Sequence, residues 1–329
     1  MAGDKRRNGQ AIGVVLLNLG GPERLADVRP FLYNLFSDRQ IIRLGPAFLQ
    51  KPLAWIIARR RAPKSCESYR LIGGGSPLSR ITRQQGAALE KALAAHGEFR
   101  VTMAMRYWHP FATATLTELK AAGIKRLVAL TLYPHFSIAT TGSSLEDLHC
   151  CAAALFSPFE IAEVRQFCEQ PDYIASLGGK ISEGLARFKT PPIVIYSAHS
   201  LPVKFINEGD PYVDQLKRTI GVVERGLGIT GRLCFQSRSG PVQWLGPSTP
   251  EMLRMLAAEG CRNVLAVPIS FVSDHVETLY ELDIQYRELA SSLGIRFERT
   301  ESLNVAPGFI KALKNLVLDA CAVQGWQTA

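Results

Sequence analysis

Eight short apolar runs, separated by stretches with helical periodicity, most strongly constrain the fold of this 329-residue chain. Regular alternation of strand and helix is typical of parallel sheets that are flanked by helices. The sequence therefore predicts an α/β protein. The predicted strands are 12–19, 100–106, 125–133, 159–164, 193–197, 232–238, 263–269 and 295–299.

The chain also repeats itself. Segments that begin at residues 12, 100 and 123 are similar, in the same order, to segments that begin at 193, 232 and 260. The repeat predicts two related half-domains, each a parallel sheet flanked by helices, that face one another across a cleft. We place the N-terminal half-domain at 10–163, completed by a C-terminal helical segment at 304–329, and the C-terminal half-domain at 164–303. Two domains also suit the chain length.

Composition narrows the class of protein. The hydrophobic and charged fractions, 47% and 20%, are those of a soluble globular protein. A formal net charge of +9 favours an acidic partner, which could be a nucleic acid, an anionic membrane surface or an anionic small molecule. Because neither a GxGxxG motif nor a phosphate loop ending in GKS or GKT is found, nucleotide binding is disfavoured. Seven scattered cysteines without a CxxC pair favour a reducing cytoplasm.

Two of the predicted strands lead into side chains that can do chemistry. His199 follows the run that starts at Ile193, and His275 and Glu277 follow the run that starts at Val264. Ligands of open α/β sheets bind outside the carboxyl ends of the strands, so this pattern predicts an enzyme. An unperturbed imidazole has a pKa of about 6.5 and can exchange protons at cytoplasmic pH. The alternative for His199 is a buried histidine with a structural role.

Glu277 has two interpretations. Asp274 and Glu277 fit a capping box at the start of a helix. Alternatively, Glu277 and Glu281 lie one helical turn apart, about 5–6 Å between Cβ atoms, and like charges at that spacing call for a cation or a shared proton. With His275 they would form a transient site for a divalent metal such as Fe²⁺.

The apolar segment 46–58 runs directly into the cations Arg59, Arg60, Arg61 and Lys64. It could enter a membrane surface, bind an anionic apolar ligand or cap the core. Trp244 lies in a proline-rich loop, where it could pack in the core or form a flat wall for a flat ligand.

Several motifs, in the same order along the chain, closely resemble those of the ferrochelatases over roughly residues 12 to 318. They are LNLGGP from Leu17, RAPK from Arg61, Tyr69, IGGGSP from Ile72, RYWHP from Arg106, TTGSS from Thr140, SAHSLP from Ser197, QSRSGP from Gln236, WLGP from Trp244 and SDHVETLYELD from Ser273. The resemblance implies a lyase that inserts Fe²⁺ into protoporphyrin IX to give protoheme and two protons, the last step of heme biosynthesis. It also implies two Rossmann-like half-domains around a porphyrin cleft.

The resemblance further implies roles for individual residues. His199 would take protons from the pyrrole nitrogens, Glu277 would work beside it, and Glu281 with His275 would deliver metal or remove protons. These four side chains are thus the expected metal ligands. Asp274 would hold His275 in orientation. The expected substrate-binding residues are Leu19, which takes the place of His199 on the opposite wall, and Arg61, Lys64, Tyr69, Ser76, Arg106, Tyr107 and Trp244.

Two departures from the family pattern matter. Some members carry a [2Fe–2S] cluster, but here Cys321 is the one cysteine near the C-terminus and Ile138 stands where a further ligand would fall, so we predict no cluster and no required cofactor. Gln285 stands where the outermost carboxylate of the acidic row would lie.

Two alternatives to the protoporphyrin enzyme stay open. The first is a chelatase for coproporphyrin III or another tetrapyrrole, although the apolar segment 46–58 favours protoporphyrin. The second is a non-catalytic heme or porphyrin carrier. Expected partners are protoporphyrin IX, Fe²⁺, heme and other proteins of heme synthesis, without nucleic acid. We expect a cytoplasmic protein, with a peripheral contact to the inner face of the membrane as a further option.

Overall fold

The computed structural model of the chain describes residues 11–156, 159–238, 240 and 242–328. All eight predicted strands are confirmed, with ends that differ from the prediction by at most two residues. The strands are β1 (Ile12–Asn18), β2 (Phe99–Met105), β3 (Arg126–Thr131), β4 (Glu160–Val164), β5 (Ile193–His199), β6 (Gly231–Gln236), β7 (Asn263–Pro268) and β8 (Arg296–Arg299).

These strands form two parallel four-stranded sheets with the same topology. The strand orders are β2-β1-β3-β4 and β6-β5-β7-β8, so each strand of one sheet has a counterpart in the other. All seven residues of β1 are buried, as expected of a central strand covered on both faces. The α/β fold with two similar parallel sheets is therefore confirmed.

The registers of the two sheets match residue by residue. The N–H of Leu132, just past β3, donates to the carbonyl of Leu17, and the N–H of Ile269, just past β7, donates to the carbonyl of Ser197. Leu17 and Ser197 are thus equivalent. The residues two positions further along, Leu19 and His199, are equivalent as well.

Helices cover both sheets. In chain order they are α1 (Val28–Ser37), α2 (Gln50–Leu71), α3 (Leu78–Leu93), α4 (Ala112–Ala121), α5 (Ser143–Ala154), α6 (Pro171–Leu185), α7 (Val203–Asn207), α8 (Tyr212–Leu227), α9 (Thr249–Ala258), α10 (Arg287–Ser292) and α11 (Pro307–Val323). Two π-helices, Ile138–Gly142 and Glu277–Tyr286, follow the third strand of each half, β3 and β7.

Helix α11 lies where the two halves meet. It packs against α3, β3 and β4 on one side and against α6 on the other. Lys311 and Asn315 of α11 bind the carboxylate of Asp172 on α6 at 2.7 and 2.8 Å. The boundaries 10–163, 164–303 and 304–329 stay a prediction, and residues 10 and 329 lie outside the described residues.

Candidate active site

His199 is the last residue of β5, where it was expected just past the strand end. Its backbone is fixed on both sides, because the N–H donates to Ser270 Oγ at 3.0 Å and the carbonyl accepts from the Tyr212 hydroxyl at 3.0 Å. The side chain is 36% exposed, so a ligand in the cleft can reach the imidazole. The sheet thus holds the ring in place while leaving it accessible.

Glu277 begins a π-helix of ten residues that continues into α10. The expected α-helix from Asp274 with a capping box is wrong. Val276 is the N-cap and makes no side-chain cap, while the Asp274 N–H donates to Asn304 Oδ1 at 3.0 Å. Because Glu277 does not cap the helix, its carboxylate is available for other contacts. π-Helices are rare and occur frequently at functional sites.

That carboxylate meets the imidazole of His199. His199 Nδ1 lies 2.8 Å from Glu277 Oε2. Burial favours the neutral form of Glu277, but the charge and hydrogen bond of His199, together with His275 and the Ser237 hydroxyl, outweigh burial and lower the pKa of Glu277 to about 2. Burial likewise opposes protonation of His199, but the charge of Glu277 raises the pKa of the imidazole. The carboxylate therefore stabilises the imidazolium form, which makes the neutral His199 ring a stronger base.

Ser237, just past β6, links the two carboxylates of the π-helix. Its Oγ lies 2.8 Å from Glu277 Oε2 and 2.7 Å from Glu281 Oε2. A serine hydroxyl has a single proton, so both contacts are hydrogen bonds when one of the carboxyl groups carries a proton. Burial, together with the charge of Glu277, raises the pKa of Glu281 to about 7. Glu281 is therefore the group that shares a proton near neutral pH.

Ser237, Gln236 and Tyr286 were not among the predicted site residues. Gln236 Nε2 donates to the Glu277 carbonyl at 3.0 Å and to Glu281 Oε2 at 3.4 Å, and the Tyr286 hydroxyl donates to the same Glu281 oxygen at 3.4 Å. Gln236 and Ser237 could have been predicted as site residues because they lie at the carboxyl end of β6. Ser237 also has a φ of +66°, which is uncommon for a residue with a side chain.

His275 lies close to the pair but is held separately. Its Nδ1 is 3.1 Å from the Ser273 carbonyl, and its Nε2 is 4.0 Å from Glu277 Oε1. Burial lowers the pKa of His275, so the ring is neutral near pH 7 and can offer a nitrogen lone pair. The geometry brings together His199, Glu277, Glu281 and His275.

Asp274 was expected to orient His275. Its carboxylate is instead bound by Thr278 Oγ1 at 3.1 Å and by three residues of another segment: Arg299 Nη1 at 3.1 Å, Ser302 Oγ at 2.7 Å and Asn304 Nδ2 at 2.8 Å. None of the hydrogen bonds between described residues joins it to the imidazole. Asp274 therefore fixes the backbone in front of His275 and does not hold the ring by direct contact.

The predicted metal ligands do not form a closed cage. Within the described ranges, no three His, Cys, Asp or Glu side chains lie together closely enough to hold a metal ion. Their part in transient handling of Fe²⁺ stays a prediction. A substrate metal that must leave with the product does not require a closed site.

The N-terminal half contributes an apolar cluster next to the His199–Glu277 pair. Leu19, Tyr69, Tyr107 and Val276 belong to this one cluster, so it contacts the residue directly before Glu277. Burial, with the charge of Glu277, raises the pKa of Tyr69. Leu19 and Tyr69 thus belong to the apolar cluster that contacts the start of the Glu277 helix.

Arg106 and Tyr107 are engaged within the protein. The guanidinium of Arg106 lies 2.9 Å from Asp38 and 3.3 Å from Asp147, and its Nε donates to Ser143 Oγ at 2.7 Å. The Tyr107 hydroxyl donates to Asp38 at 2.6 Å, and the side chain is buried. In this conformation neither polar end is offered to a ligand, and their roles in substrate binding stay predictions.

The remaining substrate-binding candidates differ in accessibility. Arg61 and Lys64 are exposed on α2, whereas Ser76 packs against Gly21 and accepts from the Leu78 N–H at 3.3 Å. Trp244 is partly buried and pairs with Pro202 in a β-bridge, which places its loop beside the turn after His199. In the QSRSGP motif, Ser239 and Pro241 lie outside the described residues.

The apolar segment 46–58 does not serve merely as a cap on the core. Phe48 is 78% exposed and Trp55 is 46% exposed. The guanidinium groups of Arg29 and Arg59 lie 5.1 and 5.6 Å from the Trp55 ring. None of the helices in the described ranges has both the length and the apolar character needed to cross a membrane.

Comparison with known proteins decides the family. The model of the ferrochelatase family matches residues 11–321. The chain belongs to the ferrochelatase family. It is 57% identical to the ferrochelatase of Desulfotalea psychrophila over 94% of this chain and 97% of that one. It is 47% identical to the ferrochelatase of Gloeobacter violaceus over 95% and 98% of the two chains. The chain is therefore an enzyme of heme biosynthesis, a metal chelatase of the lyase class.

Solved structures agree on the fold of this family member. The sirohydrochlorin chelatase SirB of Bacillus subtilis subspecies spizizenii in complex with cobalt matches with a TM-score of 0.58, 9% identity and coverage of 97% and 99% of the two chains. CbiX, described as the terminal enzyme for biosynthesis of siroheme in denitrifying bacteria, matches with a TM-score of 0.54, 11% identity and coverage of 94% and 99%. At such identities the likeness concerns the chelatase fold.

Proposed function

We propose that the chain inserts Fe²⁺ into protoporphyrin IX, with His199 as the base that takes protons from the pyrrole nitrogens. The observation that carries this proposal is the 2.8 Å contact between His199 Nδ1 and Glu277 Oε2 at the carboxyl end of a parallel sheet. Glu277 stabilises the imidazolium that forms when the ring accepts a proton. A partly exposed base with such a partner suits a reaction that releases two protons.

The second proton also needs an acceptor. Glu281 is connected to Glu277 through Ser237, and its pKa of about 7 lets it bind and release protons near neutral pH. We assign to Glu281 the transfer of protons away from the porphyrin. Neutral His275, 4.0 Å from Glu277, is the better candidate to meet Fe²⁺, because a neutral imidazole is a metal ligand.

The propionates of the porphyrin are assigned to the basic side of the cleft. Arg61 and Lys64 are exposed on α2 and can reach an anionic group in solvent. Leu19 and Trp244 would contact the faces of the macrocycle, since one lies in the apolar cluster and the other beside the His199 turn. Tyr69 and Ser76 stay predicted propionate contacts, and an iron–sulfur cluster is not part of the proposal.

One assay tests the reaction. Purified protein is mixed with Fe²⁺ and either protoporphyrin IX or coproporphyrin III without oxygen, and the Soret absorbance is followed. We expect both porphyrins to be metallated, protoporphyrin IX faster than coproporphyrin III. Porphyrin binding without metallation would favour the carrier alternative, and faster turnover of the four-carboxylate porphyrin would favour a coproporphyrin enzyme.

The exposed part of segment 46–58 supports a cytoplasmic protein in peripheral contact with the membrane, where hydrophobic porphyrin and other proteins of heme synthesis would meet it. Aromatic side chains beside arginines are typical of surfaces that enter an anionic interface. The test measures how much of the double variant Phe48→Ser/Trp55→Ser sediments with anionic vesicles, and we expect it to bind less than the control. Val323→Ser is the matched control, because Val323 is 83% exposed at the end of α11. Equal binding of both variants would contradict the contact.

A further inference from the structure

A buried side chain of the N-terminal half reaches into the loop that carries His275. Gln85 on α3 has no exposed surface, and its Nε2 donates to Ser273 Oγ at 2.9 Å and to the Asn304 carbonyl at 2.8 Å. A carbonyl can only accept, so the amide nitrogen must face Asn304. Gln85, on a helix of the N-terminal half, thereby contacts Ser273 of the C-terminal half and Asn304, the first residue of the segment 304–329.

Both partners of Gln85 belong to the support of His275. The carbonyl of Ser273 lies 3.1 Å from His275 Nδ1. Asn304 donates its N–H to the Val272 carbonyl at 2.8 Å and binds both the N–H and the carboxylate of Asp274, at 3.0 and 2.8 Å. Asn304 therefore fixes the residues on either side of Ser273. Its backbone is left-handed, with a φ of +43°, a conformation that costs a non-glycine residue about 1 kcal/mol or more.

The placement of His275 is sensitive to this loop. His275 Nε2 has no hydrogen-bond partner among the described residues and lies 4.0 Å from Glu277 Oε1, so the contact of Nδ1 with the Ser273 carbonyl is the hydrogen bond that holds the ring. A displacement of about 1 Å in a catalytic group can cost about a hundredfold in rate. Three hydrogen bonds from Asn304 and two from Gln85 restrict such a displacement.

We propose that Gln85 is a positioning residue for His275, through which the docking of α3 sets the place of the imidazole in the other half. This inference rests on the role proposed above for His275 in meeting Fe²⁺. It makes metal insertion depend on contact between the half-domains and not on the C-terminal half alone. Gln85 touches neither substrate in this scheme.

Gln215 provides a matched control. It is also a nearly buried glutamine between the halves, because its Oε1, on α8, accepts from the Phe136 N–H at 2.7 Å. None of its hydrogen bonds within the described ranges reaches residues 272–275. Replacing either glutamine by methionine keeps the size of the side chain and removes its polar contacts.

The experiment compares Gln85→Met and Gln215→Met by kcat and KM for Fe²⁺, by the Kd for porphyrin and by Tm. Gln85→Met should lower kcat/KM for Fe²⁺ by about tenfold or more, with a porphyrin Kd within about twofold. Gln215→Met should lose a similar amount of Tm with kcat/KM within about twofold. Equal rate losses in the two variants, or a normal rate for Gln85→Met, would overturn the proposal. Should Gln85→Met not fold, Ser273→Ala replaces it, because it removes one of the two Gln85 hydrogen bonds. Ser273→Ala must then lower kcat/KM for Fe²⁺ relative to the unmodified enzyme, and a normal rate would overturn the proposal.

A double-mutant cycle separates this inference from the proposed function. In a His275→Ala background, Gln85→Met should cause no further loss of kcat/KM, because the two residues act through the same ring. If Gln85→Met costs the same factor in both backgrounds, the positioning role is wrong although His275 keeps its own. If His275→Ala alone has the rate of the unmodified enzyme, the role of His275 falls, and the inference falls with it.

Discussion

The two sheets have the same topology and register, but the clusters at the ends of their strands differ in charge. By the matched register, Arg106 and Tyr107 after β2 are equivalent to Gln236 and Ser237 after β6. In the N-terminal half a guanidinium lies between Asp38 and Asp147. In the C-terminal half neutral groups meet two glutamates.

This difference separates a structural cluster from a reactive one. The guanidinium of Arg106 remains charged at all relevant pH values, so both aspartates always have a cation beside them. Among the described hydrogen-bond partners of Glu277 and Glu281, His199 is the one that can become a cation. The pKa of Glu277 is lowered to about 2 and that of Glu281 is raised to about 7. Titratable groups with pKa values driven apart are what proton transfer requires. Five substitutions test this comparison.

The largest effect is expected at the pair of equivalent wall residues. His199→Ala should lower kcat by about a thousandfold while porphyrin still binds, because the base is lost and the cleft remains. Leu19→Ala, its counterpart, should change kcat by less than about tenfold, since it removes apolar contact alone. Anaerobic kinetics and porphyrin fluorescence measure both. A near-normal rate for His199→Ala would remove the histidine from its role.

Glu277→Gln should reduce kcat by about a hundredfold and leave Tm almost unchanged. The variant keeps the size of the side chain but loses the charge that strengthens His199 as a base. The change in kcat and the change in Tm are measured on the same preparation, by anaerobic kinetics and by thermal unfolding. A large loss of Tm with normal kcat would mean that Glu277 is mainly structural.

Asp38→Asn should show the reverse pattern. It leaves Arg106 without its nearer counterion and weakens the hydrogen bond from Tyr107, so the free energy of unfolding should fall by about 2 kcal/mol. The kcat should stay within about fivefold, because Asp38 does not meet the reacting groups. Urea unfolding gives the first quantity. Unchanged stability with a collapsed rate would show that this cluster is not structural.

Glu281→Gln should alter the pH dependence of stability. The pKa of Glu281 is about 7 in the folded chain and near 4.5 in the unfolded chain, so the folded state binds more protons between these values. Stability should therefore fall as pH rises from about 5 to 7, by up to about 1.4 kcal/mol per pH unit. The glutamine variant should lack this decline in urea titrations. The same slope in both proteins would assign the proton elsewhere.

Much of the scaffold could be predicted because buried parallel strands are continuous apolar runs. The equivalence of Leu19 and His199 followed from proline-aligned repeats and is confirmed by the sheet registers. The π-helix could not be predicted, because its sequence also fits an α-helix and the difference depends on tertiary contacts such as those of Glu277. For the same reason Tyr286, five positions after Glu281, was missed while Gln285, which is exposed, was considered.

The contacts of Asp274 and Gln85 were beyond the sequence for another reason. Apart from Thr278, the partners of Asp274 lie 25 to 30 positions away, and those of Gln85 lie 188 to 219 positions away. No local pattern pairs residues over such separations. The order of the motifs indicated which segments lie near each other, but it did not indicate which side chains of those segments are in contact.

The left-handed backbone of Ser237 has a consequence for which amino acids that position can accept. Glycine would relax the backbone but bring no oxygen to bridge the glutamates, whereas threonine would supply the oxygen on a branched carbon that this conformation disfavours. A saturation library scored separately for soluble expression and for heme formation should rank glycine high in the first screen and low in the second.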